Sequence, residues 1–191
     1  MNGAFFKYRD NFPANFMAAF SYRDNLESKR LLTRFLTTED ILTWADFFND
    51  KEAVEFLPTF GLSSNLERAE YWIQRQLNRY KENNFGLQAL IHKKTNEIVG
   101  QCGLLKQEVD GQIEIEVGYH IFKRFWGQGY APEAAKLFIE YAFKNDLADS
   151  VISIIDIQNI KSQIVADKNG LKKEKQTKWS DIDVFIYRIS K

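Results

Sequence analysis

The sequence predicts one α/β domain with a mixed, largely antiparallel sheet of six or seven strands. Residues 85–105 have the pattern of an antiparallel hairpin, with two apolar runs around a charged turn. Residues 112–155 follow the order strand, helix, strand, which favours a crossover with locally parallel pairing. A length of 191 residues suits one well-buried core, and no repeat or low-complexity linker divides it.

The elements follow from local patterns taken in order. Thr37 or Thr38 can cap a helix whose apolar residues recur at helical spacing, and the turn at residues 110–111 opens a long strand. Gly100 and Gly103, inside a hairpin strand, predict a bulge or a close backbone approach. The predicted strands are 30–36, 85–91, 98–105, 112–121, 151–155, 171–174 and 184–189, and the helices start near 38, 64, 130 and 160.

Residues 1–25 differ from the rest of the chain. They are rich in aromatic side chains, lack a clear period and contain Pro13. We interpret them as an N-terminal extension to a domain at residues 26–191. In the simplest interpretation the extension packs on the domain through its aromatic rings, and the alternatives are a cover for a substrate groove or a contact in a homodimer.

The composition excludes several classes of protein. Lys plus Arg and Asp plus Glu number 26 each, which argues against a general nucleic-acid partner. The single cysteine, Cys102, allows no intrachain disulfide and is expected to be an inert buried thiol. No signal-peptide pattern and no apolar span of membrane length occurs, so we expect a cytoplasmic protein without a membrane partner. No metal cofactor is expected.

The chain is organised around residues 114–143, which predict a strand, a loop with two glycines and a helix with Pro132 in its first turn. Gly127 and Gly129 let backbone N–H groups turn inward, and a helix N-terminus adds free donors and a positive dipole end. This order predicts an anion site for a coenzyme pyrophosphate. The loop lacks the Gly-Lys-Ser/Thr ending of a nucleotide P-loop and the third glycine of a dinucleotide fingerprint.

Taken together, these motifs resemble the GNAT family of N-acetyltransferases, especially the branch that acetylates ribosomal-protein N-termini. The resemblance covers residues 26–191. Its motifs are Arg124-x-x-Gly127-x-Gly129 with Tyr130-Ala131, Glu116-Val117-Gly118-Tyr119, Asn159-x-x-Ser162, Arg30-Leu31-Leu32-x-Arg34 and Ile98-Val99-Gly100.

The resemblance implies the GNAT acyl-CoA N-acyltransferase fold and acetyl-CoA as cosubstrate. The loop at residues 124–129 and the helix start would bind the pyrophosphate, and a splayed strand at residues 119–122 would pair with the pantetheine amides and polarise the thioester. By analogy, the helical pair before residue 80 would wall the acceptor site. The residues implied in coenzyme binding are Tyr119, His120, Ile121, Phe122, Arg124, Phe125, Trp126, Gly127, Gln128, Gly129, Tyr130, Ala131, Asn159 and Ser162.

The resemblance also suggests the catalytic groups. Glu116 is the favoured general base; Glu114 shares its strand face and could serve instead, and His120 is a further option. Ser162 is the candidate to protonate the CoA thiolate, and Asn159 would hydrogen-bond pantetheine or fix the loop. Asn and Ser also suit helix capping, which is the structural alternative for both. Tyr130 and Tyr141 are alternative donors for which packing is the simpler role.

The expected reaction is direct acetyl transfer from acetyl-CoA to a primary amine, without a covalent enzyme intermediate. The expected acceptor is a protein N-terminal α-amine. The alternatives are a small amine, such as a polyamine or an aminoglycoside, and a non-catalytic acyl-CoA-binding protein.

Overall fold

A computed structural model describes residues 21–58 and 60–191, and its elements follow the predicted order. The seven strands form one sheet in which every neighbouring pair but one is antiparallel, so the predicted mixed, largely antiparallel sheet is confirmed. The elements are β1 (Leu31–Arg34), α1 (Ile41–Phe47), α2 (Asn65–Lys81), β2 (Leu87–His92), β3 (Ile98–Val109), β4 (Gln112–Ile121), α3 (Tyr130–Lys144), β5 (Ser150–Asp156), α4 (Ile160–Lys168), β6 (Lys172–Trp179) and β7 (Ile182–Ser190), with 3₁₀ turns at Thr38–Asp40 and Lys123–Phe125.

The β3–β4 hairpin is the longest antiparallel pair and carries the candidate site. Asp110 and Gly111 form its turn with positive φ angles of 50° and 77°. Strand β3 continues past its predicted end at residue 105, because the pairing with β4 holds as far as Val109 opposite Gln112. Gly100 makes the predicted close approach, since a Cβ there would overlap the carbonyl oxygen of His120.

The sheet order is β1-β2-β3-β4-β5-β7-β6, and helix α3 connects the parallel neighbours β4 and β5. The predicted βαβ crossover is therefore present. Its parallel pairing is limited to one register pair, Glu116 opposite Ile152. Beyond that pair the two strands separate.

Two apolar layers cover the two faces of the sheet. Helix α3 buries Ala134 and Phe138 on one face. On the other face, α1 and α2 bury Trp44 and Trp72. Leu42 of α1 is 74% exposed, because it follows Ile41 by about 100° around the helix and points away from Trp44.

Residues 21–25 pack against the sheet on the α3 side. The buried Tyr22 hydroxyl donates to the carbonyl of Gly86 at 2.8 Å and accepts from the N–H of Leu104 at 3.3 Å. The rest of the predicted extension, residues 1–20, lies outside the described residues. Within the described ranges, no helix is long and apolar enough to cross a membrane, and no three acidic, His or Cys side chains cluster as metal ligands would.

Candidate active site

A cleft opens where β4 and β5 separate. It forms a cavity of about 900 Å³ bounded by β4, β5, α2, α3, α4 and the loop after α1. Predicted site residues line it from β4, from the loop between β4 and α3, from α3 and from the start of α4: Glu116, Tyr119, His120, Ile121, Phe125, Trp126, Gly127, Gly129, Tyr130, Ala131, Asn159 and Ser162. Phe122, Arg124 and Gln128 lie outside its lining.

Every second residue of β4 directs its main-chain N–H and C=O groups towards this cleft. Phe122 donates its N–H to Val99 of β3 at 3.0 Å, so the alternation of an antiparallel pair turns the main-chain groups of residues 117, 119 and 121 towards β5. The Ser153 hydroxyl donates to the carbonyl of residue 117 at 3.3 Å, and the Trp126 indole donates to that of residue 121 at 2.7 Å. The N–H and C=O of Tyr119 are left facing the cleft.

The two-glycine loop has the backbone conformation that its sequence predicts. Gly127 and Gly129 have φ angles of 74° and 80°, and Gly129 is the N-cap of α3. Apart from its two neighbours in the chain, no atom of the described residues lies within 4 Å of where a Cβ on Gly127 would be, so the space beside this glycine is open. Helix α3 is 15 residues long, and the free N–H groups of its first turn point towards this space.

Arg124 lies on the outer side of the loop. Its exposed guanidinium packs over the rings of Phe122 and Phe125, 4.4 and 4.9 Å from their centroids. Gln128 donates its side-chain amide to the carbonyl of Arg124 at 3.0 Å, which closes the loop on itself. The Lys161 ammonium, from α4, lies 4.2 Å above the Trp126 ring at the cleft mouth.

Glu116 is buried where β4 and β5 part. Its carboxylate accepts from the Gln107 amide at 2.7 Å and from the N–H of Ile154 at 3.4 Å. Burial raises the pKa of Glu116; the bonds from Gln107 and Ile154 and the charge of Arg79 oppose this shift without cancelling it. A buried carboxylate with a raised pKa is a stronger base than an exposed one.

Glu114 has different surroundings from Glu116. Both its oxygens accept from the guanidinium of Arg188 on β7, at 2.8 and 2.9 Å. It does not line the cavity. The salt bridge holds Glu114 in a structural contact, whereas Glu116 keeps its carboxylate at the cleft.

His120 is enclosed by aromatic rings from α1 and α2. Trp44, Phe47 and Trp72 meet the imidazole nearly edge-on, with centroid distances of 6.5, 6.5 and 5.1 Å. Burial lowers the pKa of His120 to about 4, so the ring is neutral near pH 7. Its Nδ1 atom is buried and has no hydrogen-bond partner among the described residues.

Across the cleft, α4 begins with Asn159 and Ser162. The Asn159 side chain accepts from the N–H of Ser162 at 3.0 Å, which is the capping role weighed for it from the sequence. The Tyr119 hydroxyl donates to the carbonyl of Ser162 at 3.0 Å. Burial raises the pKa of the Tyr119 phenol, so this group remains protonated near pH 7.

Tyr130 and Tyr141 are both buried. Tyr130 lies against the ring of Phe125, with centroids 5.8 Å apart. The Tyr141 hydroxyl accepts from the N–H of Arg23 at 3.2 Å, away from the cavity lining.

Comparison with known proteins assigns the family. A family model described as an acetyltransferase (GNAT) domain matches residues 30–172. The chain belongs to the GNAT acetyltransferases. The uncharacterized protein YkkB of Bacillus subtilis (strain 168) is 31% identical over 162 residues, which cover 83% of this GNAT chain and 91% of YkkB.

Solved GNAT structures have the same fold. An acetyltransferase from Agrobacterium tumefaciens str. C58 matches with a TM-score of 0.73 and 24% identity, over 96% of this chain and 100% of that one. RimL, described as a ribosomal L7/L12 alpha-N-protein acetyltransferase in complex with coenzyme A, matches with a TM-score of 0.70 and 16% identity, over 85% and 95% of the two chains.

One residue near the GNAT loop was not assigned a site role from the sequence. Arg30 donates through Nε to the Glu133 carboxylate at 2.6 Å and through Nη1 to the carbonyl of Gln128 at 2.9 Å. Its guanidinium also lies 4.1 Å above the Tyr130 ring. Arg30 thus connects β1 to both sides of the loop. The one indication in the sequence was that Arg30 belongs to the Arg30-Leu31-Leu32 motif; this motif contributed to the resemblance, but no function was assigned to Arg30 from it.

Proposed function

We propose that this protein transfers the acetyl group of acetyl-CoA directly to a primary amine, and that the amine is a protein N-terminal α-amine. The observation that carries the proposal is the stretch of β4 around Tyr119 that pairs with no other described strand on its β5 side, next to a glycine loop at the N-terminus of α3. An amide-bearing arm ending in a pyrophosphate matches both parts, because the open strand pairs with amides and the helix end binds anions.

The family and a CoA-bound relative of the same fold support acetyl-CoA as the donor. In this proposal the pyrophosphate binds the N–H groups of the loop and of the first turn of α3. The pantetheine amides pair with the main chain of Tyr119. The N–H groups of β4 that face the cleft then polarise the thioester carbonyl and stabilise the negative charge that develops on its oxygen.

Glu116 is proposed as the general base. The acceptor amine must lose a proton as its nitrogen bonds to the acetyl carbon, and the carboxylate, directly or through one water, takes that proton. The Gln107 amide fixes the orientation of the carboxylate. As the C–S bond breaks, the CoA thiolate receives a proton or a hydrogen bond from Ser162.

The proposed acceptor rests on a protein of the same fold and on the extent of the cavity. The name of RimL supports a protein α-amine, although its likeness to this chain extends only to the fold. The cavity also continues past Glu116 towards α2, which leaves room for an acceptor longer than the amine itself.

The test is an acetyl-transfer assay with acetyl-CoA and a panel of N-terminal peptides, polyamines and aminoglycosides, measuring released CoA thiol and acetylated product. We expect peptides to be acetylated at their α-amine. Binding of acetyl-CoA by calorimetry is measured in parallel. If acetyl-CoA binds but no amine is acetylated, the protein is a binding module and the proposal is wrong; acetylation of small amines alone would reassign the acceptor.

A further inference from the structure

The acceptor side of the cavity is formed by one face of α2. Trp72, Arg75, Gln76 and Arg79 line it, and their spacing of three and four residues places them on a single stripe. An amphipathic helix usually turns such a stripe to the core. Here two of the four side chains, Arg75 and Arg79, carry guanidinium groups, and both are half-buried at the cavity wall.

Arg75 is held by aromatic rings instead of a carboxylate. Its guanidinium lies 5.4 Å from the centroid of Phe60 and 5.8 Å from that of Tyr71. No acidic side chain among residues 21–58 and 60–191 forms a salt bridge with it, in contrast to Arg30 and Arg188, which are paired. Stacking orients the planar group and leaves its N–H donors for another partner.

Arg79 is anchored to the sheet one turn further along. It donates to Gln76 Oε1 at 3.1 Å, and the same oxygen accepts from the N–H of Leu87 at 2.9 Å. Its charge also acts on Glu116, the proposed base. Arg79 is therefore near the point where the acceptor amine must react.

Among the described acidic residues that line the cavity, Glu116 interacts with the charge of Arg79, and none forms a salt bridge with Arg75. Glu52 is bound by Lys123 and Lys161 at the mouth, and Asp156 accepts from the N–H of Gln158. Glu55 is exposed on the rim.

We propose that the acceptor carries a carboxylate within a few bonds of its reacting amine, and that Arg75 and Arg79 bind this carboxylate. The inference rests on the proposed acetyl transfer and names its substrate class. Two sources share the chemistry: a peptide N-terminus with an acidic first or second residue, and a free α-amino acid. Guanidinium pairs bind carboxylates through parallel N–H donors. A polyamine, which adds positive charge, would be repelled.

The first test compares wild-type kcat/KM for acceptors that differ only by a carboxylate or its amide. Peptides beginning Ser-Asp or Ser-Asn form one arm, and serine or serinamide the other, so that the two sources are separated. We expect the acidic member of at least one arm to be preferred by about 10- to 100-fold, the usual range for a charge-assisted hydrogen bond. Equal values in both arms would overturn the inference while acetylation itself would still support the proposed function.

The second test changes the wall. Arg75→Gln and Arg79→Gln should each reduce the acid-to-amide preference about tenfold through the KM of the acceptor, with the KM of acetyl-CoA unchanged. Arg75→Glu should favour cationic acceptors. The control is Arg68→Gln on the same helix, because Arg68 packs over Phe48 outside the cavity. If the acid-to-amide preference survives in the Arg75/Arg79 double variant, the proposal is overturned. If no acceptor of the whole panel is acetylated by the wild type, the proposal and the proposed function are both overturned.

Discussion

Replacement of Arg30 by Ala should weaken both the fold and the binding of acetyl-CoA. The substitution removes the bond to Glu133, the bond to the Gln128 carbonyl and the contact over the Tyr130 ring. Glu133 keeps two partners, because the Ser28 hydroxyl and the backbone N–H of residue 30 still donate to it at 2.7 Å.

The size of the effect follows from these contacts. A hydrogen bond to a charged group contributes about 1.5–3 kcal/mol and a partly exposed cation–π contact about 0.5–1 kcal/mol. Because Glu133 remains partly satisfied and the Arg30 side chain is 33% exposed, we take the low end and expect a loss of about 2 kcal/mol. For a chain of this size that lowers the Tm by about 4–8 °C.

The loop is expected to lose its fixed position as well. We expect the KM of acetyl-CoA to rise about tenfold, or about 1.4 kcal/mol, with the KM of the acceptor unchanged. Arg30→Lys should be intermediate, since Lys keeps the charge but not the planar fork.

The assay combines thermal unfolding with steady-state kinetics in both substrates. Lys136→Ala is the matched control, because it breaks an exposed pair with Glu140 on the same helix, α3, and should change neither quantity. An Arg30→Ala variant with unchanged Tm and unchanged KM for acetyl-CoA would refute the reasoning. A selective rise in the KM of the acceptor would also refute it.

Three further predictions concern the cleft. Glu116→Gln should lower kcat/KM by about 10²–10⁴ without affecting acetyl-CoA binding, whereas Glu114→Gln should lower the Tm and retain turnover; the opposite pattern would move the base to Glu114. Burial raises the pKa of Glu116, so the ionised carboxylate destabilises the fold as the pH rises through that pKa. Glu116→Gln removes this ionisation, so the Tm of the variant minus the Tm of the wild type should increase from pH 4 to pH 7. A constant difference would contradict the shift. Gly127→Val should abolish acetyl-CoA binding in calorimetry. The control Gly111→Val, at a similarly positive φ in an open turn, should reduce stability but not binding. Equal losses of binding in both variants would contradict the proposed role of the loop in coenzyme binding.

The sequence was most informative where the pattern is local. The limits of β4 agree with the prediction, because the Asp110-Gly111 turn and the alternation of side chains fix its start and register. Helix α2 begins at Asn65, next to the predicted start near Ser64; Ser64 is its N-cap, and its hydroxyl accepts from the N–H of Glu67 at 3.2 Å. Both signals lie within a few residues of the feature that they predict.

Contacts between distant residues could not be predicted in this way. Glu114 and Glu116 share a strand face, and only the position of Arg188, far along the chain on β7, distinguishes their surroundings. The same holds for Arg30, whose contacts with Glu133 and Gln128 join β1 to the two-glycine loop. The enclosure of His120 by rings from α1 depends on helix packing, which the local period of a strand does not encode.

The single register pair between β4 and β5 also divides the hydrogen-bonded ladder of the sheet into two parts. Strands β1–β4 form one continuous antiparallel ladder and β5–β7 another, and the Glu116–Ile152 pair joins them. Local opening of a protein begins where backbone bonds are fewest. The lowest protection of the sheet against amide exchange is thus expected along the cleft itself, with both ladders remaining intact.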